Sequence, residues 1–120
     1  MKRILIADDE PNILLSLDFL MRKSGYEVFV ARDGKEALEI IKKQKPHVII
    51  LDIMMPEMDG YEVCQFIRNE EELKATKVIF LSAKTQPADI KKGLTMADSY
   101  ITKPFSTKDI VSEVNEILGN

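Results

Sequence analysis

The sequence predicts an α/β domain in three layers, a five-stranded parallel sheet with helices on both faces. Three observations carry this. Five short apolar runs alternate strictly with five longer segments of helical period. The third run, His47–Leu51 (HVIIL), is dominated by β-branched residues, as a central strand buried on both faces requires. The length of 120 residues, 45% of them hydrophobic, suits one globular domain, residues 1–120, around a single core.

The elements follow in order. Arg3–Ala7 (RILIA) is a buried first strand. Asp9-Glu10-Pro11-Asn12 supplies helix-start chemistry, and Ile13, Leu14, Leu17, Leu20 and Met21 recur at three- and four-residue steps along one helix face. Ser24-Gly25 stops that helix, and Glu27–Ala31 (EVFVA) alternates as a strand does. Asp33-Gly34 opens a second helix, with Asp33 as its cap and Ala37, Leu38 and Ile41 inward. After the third strand, a turn-rich loop from Met54 to Gly60 leads to a helix carrying Val63, Phe66 and Ile67. Val78–Leu81 is the fourth strand and Pro87–Met96 a weaker helix, where Gly93 costs about 1 kcal/mol relative to alanine. Tyr100–Thr102 is a short fifth strand, and Ser106 or Thr107 caps a last helix with Ile110, Val114, Ile117 and Leu118 inward. Right-handed crossovers and this length favour the flavodoxin-like, doubly wound strand order 2-1-3-4-5.

Composition removes several function classes. Charged residues make up 31% of the chain, are dispersed and sum to −3, which leaves no basic stripe for nucleic acid. The one cysteine, Cys64, excludes an intrachain disulfide and fits a reducing compartment. The apolar run after Met1-Lys2-Arg3 is too short for an export signal and meets Asp8 at once, and no segment has the length of a membrane span. A cytoplasmic protein is expected, with no membrane partner.

In an open sheet of this order, ligands bind beyond the carboxyl ends of the strands, near the switch point between strands 1 and 3. Strand 1 runs out into Asp8-Asp9, strand 3 into Asp52, strand 4 into Ser82 and strand 5 into Lys103. Carboxylates, a hydroxyl and an amine therefore meet at one edge. Two carboxylates ~4 Å apart repel by about 4 kcal/mol at an effective dielectric near 20. Asp8, Asp9 and Asp52 together call for a proton or a cation among them. Few hard oxygen ligands, with room for water and a phosphate, suit Mg2+ or Mn2+. Such a cation beside Lys103 and Ser82 is equipment for phosphoryl transfer, with Asp52 as the candidate nucleophile.

These residues carry a family resemblance across essentially the whole chain. ILIADDEPN, ARDGKEAL, VIILDIMMPEMDG, VIFLSAK and SYITKPF resemble the response-regulator receiver domains of two-component signalling, similar to the chemotaxis regulator. The resemblance implies a phosphorylatable switch in a phosphorelay rather than an enzyme with a metabolic substrate. Asp52 is then the phosphoacceptor. Asp9 is a direct Mg2+ ligand, Asp8 a ligand through water, and the backbone carbonyl of Met54 completes the protein's share of the shell. Lys103 pairs with the phosphorylated aspartate. Ser82 is the switch hydroxyl, Tyr100 the aromatic whose rotamer follows it, and Pro104 follows a cis bond. The phosphoryl group comes from a histidine kinase or histidine phosphotransfer protein. The face of helix 4, strand 5 and helix 5 meets the downstream target or a fused output domain. One departure stands out. Members usually read Gly-Ala-Asp before the fifth strand, whereas this chain reads Thr95-Met96-Ala97-Asp98 and is about one residue shorter there, which predicts a shortened or re-ended helix 4.

Competing readings fit less well. A haloacid-dehalogenase-type phosphohydrolase places its nucleophile after strand 1 with a second aspartate two residues on, and neither Asp8 nor Asp52 has that partner. An FMN carrier needs a glycine- and hydroxyl-rich loop after strand 1, where this chain has DDEPN. A receiver that signals by shape alone lacks part of the acidic set or the lysine, and all are present here. Glu10 reads as a first-turn helix acid favoured by the dipole. Cys64 reads as a small packed residue, and His47 lies at the opposite end of the sheet.

Overall fold

Five parallel strands and five helices alternate along the chain, in a computed structural model that describes residues 1–119. They are β1 (Arg3–Ala7), α1 (Pro11–Lys23), β2 (Glu27–Ala31), α2 (Gly34–Gln44), β3 (Val48–Asp52), α3 (Gly60–Asn69), β4 (Lys77–Ser82), α4 (Pro87–Leu94), β5 (Ser99–Thr102) and α5 (Thr107–Ile117). The sheet order is β2-β1-β3-β4-β5, with every pairing parallel. This is the flavodoxin-like order expected from the sequence. From β1 the chain goes outward to β2 on one side and to β3 on the other, so the crevice beyond β1 and β3 is the switch point.

Two apolar layers enclose the sheet. Ile4, Ile6, Val48, Ile50, Ile79 and Leu81 pack beneath Leu14, Leu17 and Met21 of α1 and Ile110 and Val114 of α5. On the other face, Leu5, Ile49, Leu51 and Phe80 pack beneath Ala37 and Ile41 of α2 and Val63, Cys64 and Ile67 of α3. Val48 to Leu51 are 0% exposed. At about 1.5–3 kcal/mol for each large side chain, that burial locks the strand that presents Asp52.

Local chemistry sets the helix starts. The Asp33 side chain accepts the Glu36 N–H at 2.8 Å. Asp59 and Glu62 form a reciprocal capping box at the head of α3, with Glu62 N donating to Asp59 Oδ1 at 2.9 Å and Asp59 N donating to Glu62 Oε1 at 3.2 Å. Such caps contribute about 1 kcal/mol each. Ser106 holds the N-cap position of α5, although its side chain makes no capping bond. Gly60 sits against the backbone of the phosphoacceptor candidate. A Cβ there would lie 2.6 Å from the Asp52 carbonyl oxygen, so any side chain would push on the end of β3.

Several boundaries differ from expectation. Strand β3 begins at Val48, with His47 just ahead of it accepting the Arg3 N–H on Nδ1 at 3.0 Å. A 3-10 turn at Glu71–Leu73 precedes β4. Helix α4 ends at Leu94, two residues before the expected Met96. Its shortened connection to β5 is held from below. Arg68 donates from Nε to the Met96 carbonyl at 2.7 Å, from Nη1 to Thr76 O at 2.8 Å and from Nη2 to Asp98 Oδ2 at 2.9 Å. The same Asp98 oxygen accepts the Val78 N–H at 2.8 Å. One guanidinium thus secures the turn where the usual glycine is missing, because its fixed fork serves three acceptors at once. Gly93 has a packing reason as well. A Cβ there would lie 2.5 Å from Tyr100 Cδ2 and 3.2 Å from Phe80 Cδ2, so the absent side chain makes the seat for the Tyr100 ring.

Candidate functional site

The parallel register brings the polar strand ends together. Ala7 pairs with Leu51, Asp52 with Leu81, and Ser82 with Thr102. Asp8, Asp52, Ser82 and Lys103 therefore emerge side by side along the carboxyl edge. Lys103 is held there by its own N–H, which donates to Ser82 O at 2.8 Å, and the bond to Pro104 that follows is cis, as expected. Asp8 and Ser82 are 0% exposed and Asp52 only 4%.

Three of the four exits use the same device. Asp8 Oδ1 accepts the Glu10 N–H at 2.9 Å, Asp52 Oδ1 accepts the Met54 N–H at 3.2 Å, and Ser82 Oγ accepts the Lys84 N–H at 3.0 Å. Each side chain is held by the backbone two residues on, the local bonding that Asp and Ser favour as a strand turns into a loop. The turn aims each group out of the sheet edge and occupies one of its lone pairs.

The remaining carboxylate oxygens face one ammonium. Lys103 Nζ lies 3.0 Å from Asp8 Oδ2 and 3.4 Å from Asp52 Oδ2. The Asp8 contact is an ion pair without hydrogen-bond alignment, and Asp8 Oδ2 is a buried oxygen with no hydrogen-bond donor. One ammonium does not balance this cluster. Burial, followed by the charge of Asp8, pushes the Asp52 carboxyl up to about 7, against the pull of Lys103 and the Met54 N–H. Burial likewise raises Asp8. Burial works against the charge of Lys103, but its bond to Glu10, its close ion pair with Asp8 and the charge of Asp52 outweigh that and raise its pKa.

These residues fit a divalent cation. One carboxylate oxygen from each of Asp8, Asp9 and Asp52 lies within 4.8 Å of the others. Asp9 is exposed, and it is not spent as a helix cap, because the N-cap position of α1 is Glu10. An unfilled buried oxygen, a carboxyl driven toward neutrality and an all-oxygen donor set describe a place for a small hard cation. Met54 is 59% exposed at the rim, and the chain there borders an open hollow of about 430 Å3 shared with Asp9 and Lys84.

Ser82 and Tyr100 are joined through one residue. Lys84 donates its N–H to Ser82 Oγ and accepts the Tyr100 hydroxyl on its carbonyl at 2.9 Å. The Tyr100 ring stands edge-on to Phe80 at 6.4 Å, and Phe80 edge-on to Tyr61 at 5.6 Å. Cys64 is buried, and that burial pushes its thiol up to about 11, as a packed and unreactive residue should be.

Glu10 departs from expectation. It is more than a dipole-favoured acid of the first turn. Its side chain makes no capping bond and instead accepts the Lys103 ammonium on Oε2 at 2.9 Å. Nothing in local spacing announces a contact between residues 93 positions apart.

Comparison with known proteins agrees with this geometry. Residues 4–115 match the family model described as the response regulator receiver domain. The chain is 41% identical over 118 residues to the alkaline phosphatase synthesis transcriptional regulatory protein PhoP of Bacillus subtilis, covering 98% of this chain and 48% of that protein. The chain thus spans about half the length of that curated relative. The structure of the chemotaxis response regulator CheY4 of Vibrio cholerae superposes with a TM-score of 0.91 at 30% identity, covering 98% of each chain. Response regulator TrrA of Thermotoga maritima, solved in complex with Mg2+ and a beryllium fluoride, superposes with a TM-score of 0.85 at 36% identity, covering 98% of this chain and 99% of that one. No helix among the described residues is long and apolar enough to cross a membrane.

Proposed function

The chain belongs to the response regulator receiver domain family, and from that premise we propose that it is a phosphorylation-dependent switch whose acceptor is Asp52, charged with the help of Mg2+. The observation that carries this reading is the carboxyl of Asp52, buried between the acids that follow β1 and the ammonium of Lys103. Asp8, Asp9, Asp52 and the Met54 carbonyl would hold the cation. When bound, it neutralises oxygens of the phosphoryl group and keeps Asp52 ionised.

The chain's own residues do the rest. The Met54 N–H holds one Asp52 oxygen and orients the carboxylate. A carboxylate oxygen of Asp52 attacks the phosphorus of a phosphohistidine. The O–P bond forms as the N–P bond breaks, and the imidazole leaves neutral after gaining a proton. Lys103 follows the charge onto the phosphoryl oxygens. Hydrolysis restores the resting state: water bonds to phosphorus as the O–P bond to Asp52 breaks, inorganic phosphate leaves with the water's oxygen and protons, and the carboxylate returns. A histidine kinase or a histidine phosphotransfer protein is the donor, and the domain turns over no separate metabolite.

Signalling then follows from the shared Lys84 backbone. A phosphoryl oxygen on Asp52 accepts the Ser82 O–H, and turning Oγ toward it takes that oxygen away from the Lys84 N–H it now accepts. The Lys84 carbonyl moves with its peptide, and with it the partner of the Tyr100 hydroxyl. A shift of two such arrangements in population changes the face made by α4, β5 and α5. Helix α4 itself borders an apolar hollow of about 520 Å3 along Pro87, Ile90 and Leu94, suited to a protein target or a fused output domain.

Intact-mass measurement tests the proposal. With Mg2+ and a small-molecule phosphodonor, the chain should gain the mass of one phosphoryl group, labile to hydroxylamine. An Asp52→Ala variant should gain none, and an undiminished adduct on that variant overturns the assignment.

A further inference from the structure

Glu10 occupies a position where its side chain ought to serve the helix. It is the N-cap residue of α1, yet it makes no capping bond. Its carboxylate crosses instead to Lys103, 2.9 Å away. In the resting site the ammonium is therefore held closer to Glu10 and to Asp8, at 3.0 Å, than to Asp52, at 3.4 Å. Lys103 is 16% exposed and Glu10 57% exposed, so the pair forms at the rim of the site, where water takes over if it opens.

That geometry sets up a competition. A phosphoryl group on Asp52 brings oxygens with up to two negative charges to the same ammonium. Lys103 cannot give full pairing to them while it is bonded to Glu10. The Glu10 carboxylate therefore favours the resting arrangement. We propose that Glu10 is a positioning residue that acts through Lys103, holding the ammonium back from Asp52 and lowering the affinity of the site for a phosphoryl group. The effect rests on the reading of Asp52 as phosphoacceptor. Its size follows from exposure. Ion pairs at such rims contribute at most about 1 kcal/mol, which is about three- to fivefold in an equilibrium.

Beryllofluoride with saturating Mg2+ is a stable mimic of the phosphoryl group, and its affinity is measured by NMR titration of the whole chain. Because the Glu10 side chain caps nothing, Glu10→Gln and Glu10→Ala leave the fold intact, which thermal melts verify. Both variants should bind beryllofluoride about threefold more tightly than the wild type. A thermodynamic cycle supplies the readout that a structural role would not move. In a Lys103→Met background the gain should vanish. Unchanged affinity in both Glu10 variants overturns the proposal. So does an equal gain with and without Lys103, which would mean bare repulsion rather than competition for the ammonium. No binding by the wild-type chain would instead overturn the reading of Asp52 on which the proposal depends, whereas wild-type binding with no Glu10 effect overturns only the proposal.

Discussion

Replacing Asp52 by asparagine should make the metal-free domain more stable. The substitution keeps the shape and the acceptor for the Met54 N–H, and removes a charge buried beside Asp8. At the 4.8 Å limit on the spacing of the acidic oxygens, each pair of like charges repels by about 3.5 kcal/mol at an effective dielectric near 20, partly offset by Lys103. The raised carboxyl gives a figure of the same size. The Asp52 carboxyl stands at about 7 in the fold against an ordinary 3.8. Three pH units at about 1.4 kcal/mol each amount to about 4 kcal/mol, an upper bound because Asp8 shares the strain. A gain of about 2–4 kcal/mol raises the melting temperature by about 8–16 °C for a domain of this size. The sign with pH is fixed. Below about pH 4, Asp52 is protonated in both folded and unfolded chains and costs nothing. As pH rises toward 7, the unfolded chain loses its proton first, so the wild type loses more stability than the asparagine variant, which keeps only the raised carboxyl of Asp8. Thermal melts in EDTA from pH 4 to pH 8 should show the two curves diverging, with the full gap above pH 7. Added Mg2+ should then close much of that gap by stabilising the wild type alone. A variant that melts at or below the wild type at pH 8 would refute the argument that the carboxylates strain this fold.

Two further substitutions probe the frame. Gly93→Ala gains about 1 kcal/mol of helix propensity, but its methyl collides with the Tyr100 ring, and such overpacking costs about 1–3 kcal/mol. Urea unfolding should show a net loss, and NMR should show the Tyr100 ring displaced from Phe80; a stabilised variant with an unmoved ring would contradict the account of Gly93 as the ring's seat. Arg68→Ala leaves the Met96 and Thr76 carbonyls and Asp98 without their guanidinium, and should cost about 2–3 kcal/mol in urea unfolding, with hydrogen exchange quickened at Met96 to Asp98. A loss under 0.5 kcal/mol would show that the turn holds without the clamp.

Much of this architecture is legible in the chain because it rests on period and on topology. The apolar runs name the strands, and a parallel sheet sends every strand's carboxyl end to one edge. Asp8, Asp52, Ser82 and Lys103 can therefore be placed together without a structure. The cap at Asp33 depends only on a residue three positions away. What escapes the sequence depends on long side chains reaching across elements. Glu10 looks like a helix acid because its neighbours suggest nothing else, and only the position of Lys103 after β5 gives it a partner. Arg68 looks like a solvated residue of α3, while the turn it clamps lies 28 residues away at Met96. Gly93 registers along the chain as a weakness of helix 4. In three dimensions the same residue makes the room that Tyr100 fills. One signal was available for the last case: a glycine inside a helix that faces an aromatic on the neighbouring strand usually marks a close approach.

A phosphoryl group on Asp52 should be felt at Tyr100 through Ser82 and the backbone of Lys84. Amide and aromatic NMR spectra of the whole chain, recorded with Mg2+ before and after a small-molecule phosphodonor is added, test it directly. The Lys84 amide and the Tyr100 ring should shift together with Asp52 and Met54, at the same rate and to the same extent of conversion, and Ser82→Ala should uncouple Tyr100 from them. Changes confined to Asp52 and Met54 in the wild type, or a Tyr100 response that survives loss of the Ser82 hydroxyl, would contradict it.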